Sequence, residues 1–323
     1  MSLKIFFDEQ YLSHKPSTSE RTVKLYYYSL RKFSLWLGEP AQLHHLTNKT
    51  VGLYLRSLLT ESELQPTTVD KERRQLVAIW RLAHTLGLTK LGPTIAPIKI
   101  PEKIPTALTV SELHQLTLTF DSLQGETGGI PNSKLVRASF AIQWQTSERI
   151  GAVLQLKFSD IKENVITFRS ETRKGGRKSR VKEIPWHVVD LINAIDKPRR
   201  KKIFPIEPSN KTKIQLLYSK LFERAGIERP KGKSTHLLRS SHATHLDIAG
   251  GDATKSLGQA NRKTTEASYL DPRLKADKSC YLLPEIGATN ERQKQTERQR
   301  QKNKTGNRNR TACLLYTSPS PRD

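Results

Sequence analysis

The chain has 323 residues, enough for about two domains with full-sized cores. Its 55 Lys and Arg against 31 Asp and Glu give a formal charge of +24 and a pI near 10.1, a field that draws a polyanion, either nucleic acid or an anionic membrane surface. No apolar run nears the ~20 residues that cross a bilayer, and no signal-like apolar core opens the sequence. Nucleic acid is therefore the expected partner, with no membrane. With only Cys280 and Cys313, neither a disulfide framework nor a cysteine metal site is expected, and both read as unpaired thiols of a reducing cytoplasm.

Residues 1–16 carry no regular pattern. From Ser17 helix signals appear: Ser17-x-x-Glu20 has the form of a capping box, and Val23, Tyr26, Tyr27, Leu30, Phe33 and Leu37 make an apolar stripe that ends at Gly38-Glu39-Pro40. A second helix is expected from Thr47 to Leu59. A third follows Pro66, with Val69, Leu76, Ile79, Trp80 and Ala83 inward. Its outward face is expected to carry Lys71, Arg73, Arg74 and Arg81. These suit phosphate contacts that position a duplex without reading bases; an ordinary solvated face is the plainer alternative. Residues 1–90 thus read as an N-terminal helical domain. Residues 91–106 hold Pro93, Pro97, Pro101 and Pro105, which deter helix and strand and mark an extended linker.

Beyond the linker, Thr109-x-x-Glu112 is a second capping-box candidate, residues 124–132 read as a glycine-rich loop, and Lys134 to Gln145 returns to helical periodicity. Val165-Ile166-Thr167-Phe168 and Arg180 to Pro185 read as two strands of a hairpin. Between them, Gly175-Gly176 supplies the backbone freedom of a tight turn. Ser234 to Ile248 reads as a helix stopped by Gly250-Gly251, and its His236 and Arg239, three apart, share one face. A guanidinium beside an imidazole suits an anionic substrate, one gripping phosphate oxygens while the other moves a proton. Alone, such a pair is more often a basic surface helix. His242 and His245 add two imidazoles, but no carboxylate or cysteine joins them at a ligand spacing, so packing or backbone contact is expected and metal is not.

The order of these features is specific. Thr146-Ser147-Glu148-Arg149-Ile150, then a lysine-bearing hairpin, then His236-x-x-Arg239, then Leu257-Gly258, then Tyr269 resembles the catalytic domain of tyrosine site-specific recombinases of the phage-integrase type, over residues 107–285. The helical unit before the linker resembles their core-binding domain, which helps clamp a duplex. The fold implied is mainly α with a small antiparallel β-sheet: a helical core-binding domain plus an α+β catalytic domain. The resemblance makes Arg149 and Arg239 phosphate clamps, His236 the acid–base residue and Tyr269 the nucleophile. Lys174, with Lys178 as the fallback, would protonate the leaving 5′-oxygen. A phenol ionises near ~10 and needs such cations beside it to act at neutral pH. The product would be a 3′-phosphotyrosyl enzyme, resealed without ATP, metal or other cofactor.

Two positions depart from the family pattern. Ala152 stands where an acidic residue commonly follows the first arginine, leaving Glu148 as a conceivable substitute to orient Arg149. Gln259 stands where histidine or tryptophan usually follows Leu-Gly; its amide can still donate a hydrogen bond, so Gln259 joins the candidate catalytic residues. The resemblance implies a homo-tetramer on DNA, monomer or dimer when free, with accessory DNA-bending proteins as further partners and a cytoplasmic, nucleoid-associated location. Two rivals stay open: a type IB topoisomerase-like enzyme, and a decayed integrase that only binds DNA. Tyr281 is the competing tyrosine. Residues 286–323 read as a basic tail without a core, because Asn290 to Arg310 holds eight Lys and Arg, two Glu and no apolar residue. Its last stretch, Cys313 to Asp323, looks like translated sequencing adapter.

Overall fold

Helix periodicity and turn chemistry gather this chain around two separate cores. The computed structural model describes residues 1–62, 64–173, 178–195, 201–207, 210–230 and 234–275. Two units result, Met1–Lys103 and a second that begins at Ile104. Helices dominate both, with two small antiparallel sheets in the second, in keeping with the expected fold class.

The first unit starts earlier than its sequence signals. Helix α1 (Leu3–Phe6) runs into a wider π-type turn, Phe7–Tyr11, where no regular structure was expected. Aromatic packing is the cause: Phe7 is fully buried and stacks on Tyr11 and Tyr26 with centroids 5.3 and 5.0 Å apart. Helix α2 (Glu20–Leu37) is capped by Ser19, whose hydroxyl accepts from the Thr22 N–H at 3.3 Å, rather than by Ser17. It buries Leu30 and Phe33 and ends at Gly38 in the left-handed region. Helix α3 (Asn48–Thr60) is capped by Thr47. Helix α4 (Pro66–Thr85) opens on proline, whose missing N–H costs nothing there. Its Val69, Leu76, Ile79, Trp80 and Ala83 face the core as the periodicity requires. The chain then folds back: Trp80 Nε1 donates to the Leu91 carbonyl at 2.8 Å, and Ile95 and Ile98 pack on the same core.

Arg73 corrects one expectation. It lies buried, not on the outward face of α4, because Asp70 one turn earlier takes its Nε–H at 2.8 Å and the returning segment covers the pair, with Ile98 N–H also reaching Asp70. Charge in a sequence does not say which side of a helix will be covered.

In the second unit, Thr109 and Glu112 form the expected reciprocal cap of helix α5 (Val110–Leu118), with bonds of 3.2 and 2.7 Å. The loop expected at 124–132 contains a two-residue hairpin, β1 (Glu126–Thr127) against β2 (Ile130–Pro131). Helix α6 (Asn132–Thr146) crosses the centre, and short α7 (Ile150–Val153) follows it. The second sheet orders β3 (Ile161–Lys162), β4 (Val165–Phe168) and β5 (Arg180–Glu183) antiparallel, with Phe168 opposite Arg180 and Val165 opposite Glu183. The remaining helices are α8 (Trp186–Asn193), α9 (Lys211–Arg224), α10 (Ser234–Ile248), α11 (Ala253–Leu257) and α12 (Arg262–Tyr269). Leu135, Val136 and Ile142 of α6, Leu217 and Leu221 of α9, and Leu237 and Leu238 of α10 share one core with Ile166 and Phe168. That packing fixes α10 rigidly, so the residues on its remaining face are placed with it. Lys174 and the Gly175-Gly176 turn lie outside the described residues, as do Cys280, Tyr281, Cys313 and the basic tail. Among the described residues no helix is long and apolar enough to cross a membrane.

Candidate active site

Helix α10 commits Leu237 and Leu238 to the core, and the next residue round the turn, Arg239, is drawn inward with them. Its side chain is 1 % exposed. One guanidinium nitrogen donates to the Ser147 carbonyl, another to the Leu257 carbonyl at 2.8 Å, and Nε has no partner. Ser147 ends α6 with φ 58°, a left-handed backbone that non-glycine residues rarely adopt, and this turn aims its carbonyl at the arginine. Among the described residues no carboxylate lies within ion-pair distance of this guanidinium. Burial, with Arg149 nearby adding repulsion, holds its pKa below the usual arginine range. A buried cation with an idle donor is a site prepared for an anion.

Tyr269 closes α12 beside it. The ring is 6 % exposed, its centroid 5.2 Å from the Arg239 guanidinium carbon and 5.4 Å from the His236 ring. Gln259 donates from Nε2 to the phenol oxygen at 3.3 Å. Three anchors hold the tyrosine helix on α10. Arg262 pairs with Asp247 at 2.6 Å, Thr244 donates to the Tyr269 carbonyl at 3.1 Å, and Asp271 N–H donates back to Thr244 at 3.0 Å. Burial alone would raise the Asp247 pKa, but hydrogen bonds from Lys275 and Arg262 outweigh it and hold the carboxyl below the ordinary range.

The residues just ahead of this core tie to the same helix. Ser240 Oγ donates to the Thr106 carbonyl at 2.7 Å, Leu108 N–H to Ser241 Oγ at 2.8 Å, and Ala107 N–H to Asp271 at 2.9 Å.

Arg149 caps α7, half-buried, as the sequence placed it. Ala152 is 3 % exposed and packs in the core. Glu148, the substitute the sequence left open, accepts the Arg149 backbone N–H at 3.4 Å but makes no ion pair with its guanidinium. Its carboxylate is committed to Arg180 at 2.9 Å and Arg173 at 3.2 Å.

A polar network behind these residues escaped the sequence reading. Lys182 Nζ donates to Ser256 Oγ at 3.1 Å, and that hydroxyl meets His242 Nε2 at 2.8 Å. The other ring nitrogen of His242 meets the Trp144 carbonyl, which makes it the protonated one and Nε2 the acceptor. Burial pushes His242 down to about 4, with Lys182 and Arg239 adding to the shift after the Trp144 bond opposes it, so the ring stays neutral. Burial, then Arg180, also lowers Lys182. The signal was present in β5: Arg180 and Lys182, two apart, turn inward while Val181 between them is 65 % exposed, the reverse of ordinary strand alternation.

His245 meets the Leu108 carbonyl at 2.8 Å, so both extra histidines contact backbone, as expected. Among the described residues no three His, Cys, Asp or Glu gather as a metal site. Of the expected DNA contacts, Arg74, Arg81 and Lys178 are exposed and Lys71 is half-exposed near Glu72 at 3.6 Å. Arg73 is turned away, as above.

Residues 107–275 match the family described as the phage integrase family. A tyrosine recombinase of Thermosipho africanus is 27% identical over 277 residues, spanning 81% of this chain and 92% of that protein. Tyrosine recombinase XerA of Thermococcus kodakarensis is 25% identical over 262 residues, 77% of this chain and 84% of its own length. Among solved structures, a lambda integrase dimer bound to a COC′ core site shares the fold with a TM-score of 0.63 at 16% identity, covering 90% of this chain and 81% of that one.

Proposed function

The chain belongs to the phage integrase family of tyrosine recombinases, and from that premise we propose that it breaks and rejoins duplex DNA through a 3′-phosphotyrosyl intermediate. The convergence of Tyr269, Arg239, His236 and Gln259, with a buried Nε of Arg239 left idle, carries this reading.

The Tyr269 oxygen attacks the scissile phosphorus as the bond to the 5′-oxygen breaks. The phenol proton passes to a base, for which the adjacent His236 is the candidate, and the leaving oxygen takes a proton from the hairpin lysine, Lys174. Arg239 and Arg149 neutralise the non-bridging oxygens, whose charge rises in the crowded transition state. Gln259 supplies a neutral donor to the phenol or to the phosphate that replaces its proton. The linkage conserves the bond energy, so a DNA 5′-hydroxyl reverses the step without ATP, and two arginines supply the positive charge that a metal would otherwise bring. The first unit acts as the core-binding domain, with Lys71, Arg74 and Arg81 positioning phosphates and Lys178 serving the hairpin. A tetramer on two sites, aided by DNA-bending proteins at the nucleoid, completes the picture.

A nicked duplex carrying the attachment site beside the gene tests this. Wild type is expected to leave a covalent adduct on a denaturing gel, and Tyr269→Phe none. Binding without an adduct would mean a decayed integrase, a rival motivated by Ala152 and Gln259. Relaxation of one duplex without exchange between two would mean a topoisomerase.

A further inference from the structure

Glu148 is 1 % exposed and sits directly before Arg149, whose backbone N–H its Oε2 accepts at 3.4 Å, yet its ion pairs are with other arginines. Its Oε1 takes the Arg180 Nη1–H at 2.9 Å and lies 3.2 Å from Arg173 Nε. Those two arginines flank residues 174–177: Arg173 leads into the turn and Arg180 opens the return strand β5. Arg173 Nη1 also donates to the Lys178 carbonyl at 2.9 Å, which ties the two sides together at the base of the turn. Arg180 reaches on with Nη2 to the carbonyls of Lys255, at 3.0 Å, and Ser256, at the end of α11. Gly258 follows with φ 63°, a conformation that strains any side chain, and a Cβ there would crowd Arg180 at 3.2 Å and Arg173 at 3.4 Å.

One buried carboxylate therefore joins three pieces of the site: the Arg149 turn, both sides of the hairpin base, and the segment leading to Gln259. The surrounding charge is cationic. Arg149 repels Arg180, and both Arg180 and Arg239 depress Lys182. Among the described residues Glu148 is the only carboxylate paired with these two arginines, so without it their repulsion would push the hairpin base outward.

We propose that Glu148 is a positioning residue for the leaving-group side of cleavage: through Arg173 and Arg180 it fixes the base of the hairpin against the Arg149 turn. The inference rests on the tyrosine chemistry proposed above. A carboxylate that merely stabilised the fold would affect every substrate alike. One that positions the proton donor matters only when the leaving group needs a proton, because a thiolate departs unaided where an alkoxide does not.

The experiment compares the nicked duplex with a second duplex in which sulfur replaces the bridging 5′-oxygen at the scissile phosphate, for wild type and Glu148→Gln. We expect adduct formation by Glu148→Gln to fall about 100-fold on the oxygen duplex and to stay within about threefold of wild type on the sulfur duplex. Arg173→Gln, which leaves the Glu148–Arg180 pair in place, is the second variant should Glu148→Gln fail to fold, and the same selective loss is expected. Equal loss on both duplexes, or no loss, overturns the inference. So does rescue by a methylphosphonate duplex in place of the sulfur one, which would assign Glu148 to the arginine that neutralises the phosphate. Wild type inactive on both duplexes would instead sink the tyrosine chemistry itself.

Discussion

Gln259 donates its amide proton to the phenol oxygen of Tyr269 across 3.3 Å, and the tyrosine is thereby held beside Arg239. The donor is neutral and cannot titrate, so in the proposed mechanism this position supplies a hydrogen bond and not a proton relay. Gln259→Ala is expected to slow single-turnover adduct formation by about 100-fold, as loss of a transition-state donor does. Gln259→His should stay within about tenfold of wild type. A dead histidine variant would show that the amide's shape, not its donor, is what the site uses.

Arg239 makes two bonds to carbonyls 110 positions apart in sequence order, Ser147 and Leu257, while its buried Nε has no hydrogen-bond partner. A lysine carries the same charge on a single point and cannot span that fork. Arg239→Lys should bind duplex with an affinity within about tenfold of wild type yet form adduct at least about 100-fold more slowly. Gel shift and adduct assays on the same preparation check it.

His242 gives the fold a dependence on pH. Its folded value of about 4 lies below the ~6.5 of an exposed imidazole, so the unfolded chain binds the extra proton between those values. Stability should therefore decline as pH falls from about 6.5 to about 4, by about 3 kcal/mol at most, with no further loss from this residue below that. Urea denaturation of wild type and His242→Gln across that window should show the slope flattened in the variant.

The basic residues of α4 separate by what they face. Arg73→Ala should cost about 2 kcal/mol, because the buried Asp70 carboxylate loses its buried arginine and keeps only the more exposed Arg74 at 3.0 Å, while the salt dependence of DNA binding stays unchanged. Arg81→Ala should barely change the melting temperature and Arg74→Ala, whose exposed side chain pairs with Asp70 at 3.0 Å, should lower it slightly, and each should reduce the slope of log affinity against log salt by about 0.9. Identical slopes in all three variants would remove α4 from the DNA contact surface.

Much of this was legible in the sequence, for identifiable reasons. Helix α10 and helix α4 announce themselves because a buried stripe must repeat every three or four residues, and Thr109 with Glu112 spells out its own cap. The ordered arginine, histidine, arginine and tyrosine were readable because their chemistry tolerates few substitutes. What stayed hidden depended on distant parts of the chain. Arg73 turned inward because a segment over twenty residues later covered it, and the first helix formed because Phe7 found Tyr26. Glu148 looked like a partner for its neighbour, yet its carboxylate went to arginines 25 and 32 positions away. The inward Arg180 and Lys182 ran against alternation because that face of β5 meets a polar site and not the core.

The hydrogen bonds from Thr106, Ala107 and Leu108 to α10 and Asp271 bear on where this protein can be divided. A catalytic fragment that began at the first residue of α5 would strip Ser240, Ser241 and Asp271 of partners they hold below the surface, right beneath the helix that carries Tyr269. One that began a few residues earlier, among the prolines near residue 101, would keep every such bond. The seam at which another N-terminal module could be grafted therefore lies ahead of Thr106, and the three residues after it travel with the active site.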